Sequence, residues 1–159
     1  MNQQDLDDLL TLLDNSVIIA DNKVEVKNPV RLRATIHRLA EVSALESGSR
    51  QGIARYLVRL IAQKLGIYPA SINELYLARG RGEIPTSFTV PAVNLRAMAF
   101  DAARALFKAA RPIDASAMIF EIARSEMGYT DQRPAEYVTS VLAAAIAEGY
   151  TGPVFIQGD

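Results

Sequence analysis

The residues of this chain best placed to do chemistry are polar groups at the ends of short apolar runs. Asn94, Glu121 and Asp159 lie at or near the carboxyl ends of stretches with strand character at 88–94, 116–122 and 154–157. A carboxylate so placed can take a proton from a substrate hydroxyl and return it. In barrel enzymes such groups sit at the carboxyl ends of the strands. Arg124 and Glu126 follow Glu121 closely. Together they could line a polar edge for substrate hydroxyls or phosphate, or form a structural ion pair. Asn94 serves equally well as a cap for the next helix. His37 is the single histidine, and with Arg33 and Arg38 beside it in a helical pattern it reads as part of a solvated face. Alone it cannot make a multi-histidine metal site. Arg79-Gly80-Arg81-Gly82 could offer an anion its backbone and guanidinium groups, but it lacks the rest of a phosphate loop and reads as a connector. Tyr129-Thr130-Asp131-Gln132-Arg133 is a candidate substrate-side loop, or a lead-in to the helix at Pro134, while Met98 and Met118 are assigned to the core.

Two stretches of different texture must position these groups. Residues 1–84 form a mainly helical N-terminal extension. Leu6, Leu9, Leu10 and Leu13 share one helical face. Short β-branched runs around Asp21-Asn22 suggest a hairpin. Pro29 opens a helix carrying Leu32, Ile36, Leu39 and Ala40, which continues through Val42 toward Leu45 and ends at Ser47-Gly48. The next helix, 50–65, bears a stripe of Ile53, Tyr56, Leu57, Leu60, Ile61 and Leu65, with Gly66 as its left-handed cap. Ser71 and Glu74 fit a capping box for one more.

Residues 85–159 alternate strand and helix. Strands are predicted at 88–94, 116–122 and 154–157, and helices at 97–110 and between Pro134 and Gly149. In the first of these helices Asp101, Arg104 and Lys108 line a polar stripe. Short apolar strands separated by helices imply parallel pairing. The expected fold class is α/β: an incomplete (β/α)8 TIM barrel containing the first three strands, preceded by the helical segment. A closed barrel takes about 250 residues, so the chain is expected to be a fragment or to be completed by a partner.

Composition narrows the function classes. The 159 residues are half hydrophobic, enough for a substantial core. Lys and Arg number 17 against 18 Asp and Glu, so no strong field attracts nucleic acid or an anionic membrane. Cysteine is absent, which excludes disulfides, thiol nucleophiles and cysteine-ligated zinc and agrees with a cytoplasmic setting. No apolar run approaches the roughly 20 residues needed to cross a bilayer. Neither nucleic acid nor a membrane is therefore expected as a partner.

Three stretches, in order, resemble the class II fructose-bisphosphate and tagatose-bisphosphate aldolases. Val90-Pro91-Ala92-Val93-Asn94 is similar to the family's first strand, 117–123 takes the place of its second, and Gly152-Pro153-Val154-Phe155-Ile156-Gln157-Gly158-Asp159 is similar to its third. That third strand normally ends in Asp followed by a zinc-binding His. Gln157 stands where many members have His, and 121–126 lacks their small polar sequence. The resemblance implies a carbon–carbon lyase that cleaves a phosphorylated ketose through a metal-bound enediolate, with zinc as cofactor of the complete enzyme and its ligands outside this chain. It assigns Asp159 to proton exchange with the hydroxyl of the aldehyde half, and Asn94, Glu121 and Arg124 to the substrate. The alternative is a noncatalytic partner or assembly module of an aldolase-like enzyme. A third reading is homo-oligomerisation through exposed sheet edges.

Overall fold

A computed structural model of the chain describes residues 2–20, 23–115 and 117–158. Helix α1 (Gln3–Leu12) starts at Asn2, whose side chain accepts the Gln4 N–H at 3.1 Å, and buries Leu6 and Leu9, with Leu13 buried just past its end. Strands β1 (Val17–Ala20) and β2 (Lys23–Val26) form the expected antiparallel hairpin; its turn pair Asp21-Asn22 lies outside the described residues. Helix α2 (Pro29–Thr35) combines an Asn28 cap with proline at its first position. The single helix expected from Pro29 toward Leu45 is interrupted at Ile36, where α3 (His37–Leu45) takes over. Thr35 explains the break: its hydroxyl donates to the Arg31 carbonyl at 2.9 Å, a back-bond that bends helices. The apolar face survives the bend, since Leu32, Ile36, Leu39, Ala40 and Val42 are all buried.

Helix α4 (Gly48–Lys64) ends as predicted on Gly66, at φ +74°. Ile53, Leu57 and Ile61 are buried, whereas Tyr56 turns outward. Strand β3 (Ile67–Ala70) and helix α5 (Asn73–Gly80) follow. The capping box expected from Ser71 and Glu74 is not formed; the Ser71 hydroxyl accepts the Asn73 N–H at 3.2 Å. After it come β4 (Ala92–Asn94), α6 (Ala99–Ala110), a 3-10 turn (Arg111–Ile113), β5 (Ile119–Ile122), α7 (Arg124–Thr130), α8 (Pro134–Glu148) and β6 (Gly152–Gly158). The strand expected over 88–94 is shorter than that range. Pro91 has no N–H to pair, and the carbonyls of Thr86 and Phe88 are held by Arg79 at 2.9 and 3.0 Å.

Strands β3, β6, β5 and β4 lie in that order in one parallel sheet. The expectation of an incomplete TIM barrel is corrected here. β4, β5 and β6 are neighbours in sequence order, but the place beside β6 is taken by β3, which comes from the segment read as helical. The sheet is open, with β3 and β4 as its two edges. β3 escapes sequence reading because four residues containing Pro69 show no usable period, and proline is tolerated in a strand mainly at an edge.

Helix α8 ties the two stretches together. It packs on α6, α3 and α4 and on the sheet, and buries Tyr137, Val141, Leu142 and Ile146 among others. Phe107 of α6 meets Phe120 of β5 with ring centroids 5.0 Å apart. One hydrophobic cluster runs from Leu6 to Val154. Among the described residues no helix is long and apolar enough to cross a membrane.

Candidate functional site

Register partners in a parallel sheet project to the same face. Asn94 pairs with Glu121, and Glu121 with Gln157, so these three form one row across the carboxyl ends of β4, β5 and β6. The row lies on the face opposite Phe120 and the α6 and α8 helices. Behind it on the same face, Ala92, Ile119, Phe155 and Ala70 make a parallel apolar row. A shallow cavity of about 370 Å³ opens there, bounded by Ile119, Phe155, Gln157 and Ile72.

Gln157 Nε2 donates to Glu121 Oε1 at 3.3 Å, which joins two of the three members of the row. The Glu121 carbonyl accepts the Tyr137 hydroxyl at 2.7 Å, so α8 fixes the strand end from beneath. Burial pushes the Tyr137 phenol far above its ordinary value, with lesser contributions from the Glu121 and Glu126 charges. Tyr137 therefore stays neutral and serves as a strut between α8 and the end of β5.

Glu126 is the most committed carboxylate of the site, with a side chain only 5 % exposed. It occupies the third position of α7 and reaches back to accept the Ala123 N–H at 3.0 Å, one half of a capping box. Arg96 Nε lies 2.7 Å from its other oxygen. The Ala123 N–H holds its carboxyl below the usual range, with further help from the Asn94 amide and Arg96. Asn94 Oδ1 is buried without a hydrogen-bond partner. An acceptor buried without a partner among the described residues is costly, by about 1–3 kcal/mol.

Asn94 and Glu121 are therefore brought together, as their sequence positions predict, at the carboxyl ends of parallel strands. Arg124 is an exposed residue opening α7, and the ion pair with Glu126 is made by Arg96 instead. Sequence reasoning does not single out Arg96; its only signal there is its position two residues after a strand end. Asp159 lies outside the described residues. Met118 is buried as expected, but Met98 is 74 % exposed and adopts φ +51°.

Zinc is not matched by the donor set. Among the described residues no three His, Cys, Asp or Glu side chains converge as metal ligands. The one histidine, His37, opens α3, and Glu126 is already engaged by Arg96 and the Ala123 N–H. No family model matches the chain, and neither a curated protein nor a solved structure matches it.

Proposed function

We propose that the Asn94–Glu121–Gln157 row and Arg96 form the substrate edge of an aldolase-like carbon–carbon lyase acting on a phosphorylated sugar in the cytoplasm. The observation that carries this reading is the row itself: three hydrogen-bonding side chains in register at the carboxyl ends of parallel strands. Ligands of open α/β sheets collect at that end. Glu121 and Gln157, already hydrogen-bonded to each other at the strand ends, suit sugar hydroxyls. Arg96, 70 % exposed while anchored through Nε, presents the rest of its guanidinium to a phosphate.

In the reverse aldol reaction the aldehyde-half hydroxyl loses its proton as the carbon–carbon bond breaks. The bonding pair passes to the ketone half as an enediolate, which is then protonated on carbon. Asp159, the residue after β6, is the proposed acceptor of the hydroxyl proton. Since the described residues do not fit zinc, their share is to bind the sugar and orient it. This chain without metal ligands is proposed to be inactive alone.

Fructose 1,6-bisphosphate titrated into isotope-labelled protein should move amide resonances at 92–96, 119–126 and 155–158. Arg96→Gln should weaken binding about tenfold, as expected for loss of a charged hydrogen bond. Shifts elsewhere, or none, would overturn the assignment. The coding sequence beyond the Asp159 codon supplies an independent check. A histidine followed by further strand–helix units supports the lyase, whereas a stop codon favours a noncatalytic partner of such an enzyme.

A further inference from the structure

A second cleft lies away from the sheet, between α3 and α6 and floored by α8. Its volume is about 630 Å³. We infer that this cleft receives a basic amphipathic helix from a partner protein, independently of any chemistry at the strand ends.

Shape and charge both point to such an occupant. The floor and walls carry small side chains, Ala40, Ala44 and Ala99 among them, which let a helix backbone approach closely. At the rim two long apolar side chains face solvent: Leu45 is 84 % exposed and Met98 74 % exposed. Met98 holds a left-handed backbone that non-glycine residues seldom adopt. Pairs of exposed apolar side chains flanking a groove suit the apolar stripe of an incoming helix. The lining contains three carboxylates, Glu41, Asp101 and Glu136, against one guanidinium, Arg104. Arg104 is shared between Glu148, 2.8 Å from its Nε, and Asp101, 4.0 Å from its Nη1, so it offsets Asp101 but reaches neither Glu41 nor Glu136. One Glu136 oxygen is oriented by Gln132 at 3.1 Å. Glu41 and Glu136 have no ion pair among the described residues, so the cleft is left with negative charge to be met by lysines or arginines.

The probe is a synthetic Leu/Lys amphipathic helix, with a Leu/Glu peptide of the same pattern as control, followed by fluorescence anisotropy and amide shifts. The Leu/Lys peptide should bind and shift residues of α3, α6 and the start of α8, and its affinity should fall as salt is raised. The charge-reversed double variant Glu41→Lys/Glu136→Lys should bind about tenfold more weakly, since rim charges set such recognition. Met98→Ser should also weaken it. Both variants alter exposed or half-exposed side chains, and an unchanged melting temperature verifies the fold. Equal binding of both peptides, or undiminished binding by the charge-reversed variant, would refute the inference. So would sedimentation showing that the chain fills the cleft with a second copy of itself.

Discussion

Replacing Tyr137 by Phe tests the link between the candidate site and the core. The ring stays in place, so no cavity opens, and only the hydroxyl bond to the Glu121 carbonyl is lost. That carbonyl keeps the Leu95 N–H, a long contact at 3.4 Å. A lost hydrogen bond with a buried acceptor left short of a partner costs about 1–2 kcal/mol. For a chain of this size that lowers the melting temperature by about 3–6 °C. The loss should be constant through neutral pH, because burial keeps the phenol protonated well above its ordinary 10.0. The sign is fixed by linkage. A raised native value contributes stability that is complete below the unfolded value and is lost as pH rises through the native one. Wild type should therefore lose stability from about pH 10 upward, and Tyr137→Phe should lose less. Thermal melts by circular dichroism across pH measure both effects, with Tyr68→Phe as a control at a half-exposed tyrosine. An unshifted midpoint for Tyr137→Phe would refute the proposed strut.

Other outcomes follow from the same structure. Ile67→Ala removes a side chain of β3 that is 1 % exposed and should cost about 2–5 kcal/mol in urea denaturation; a loss typical of a surface site would deny β3 its place in the sheet. Glu126→Gln should flatten the acid side of the stability profile. The Glu126 carboxyl lies below its ordinary 4.5 in the native chain, so its contribution is present above that value and is lost as pH falls below it. An acid-unfolding curve identical to wild type would contradict the Ala123 and Arg96 contacts. Gly149→Ala places a methyl group 2.6 Å from the Arg33 guanidinium at φ +65°. Arg33 can swing aside, but the backbone strain remains and should cost about 1 kcal/mol in thermal melts.

Much of the local structure is legible in the residues because its causes are local. Asn28 with Pro29 starts a helix, Pro134 starts another, and Gly66 and Gly149 end two, each through the backbone freedom of one or two residues. The leucine spacing of α1 and the alternation after residue 84 report which side of each element avoids water. The same patterns are enough to put Asn94 and Glu121 at strand ends. The arrangement of the sheet is not legible in this way. β3 has no distinctive pattern and becomes a strand because β6 offers it a parallel partner and α8 covers its Ile67 side chain. The Arg96–Glu126 pair spans thirty positions of sequence and exists because β4 and β5 lie side by side. Long-range pairing of this kind depends on which surfaces meet after collapse. Residue types specify most helix starts and stops, whereas the open sheet, its row of polar side chains and the cleft between α3 and α6 arise from the packing of distant segments on α8.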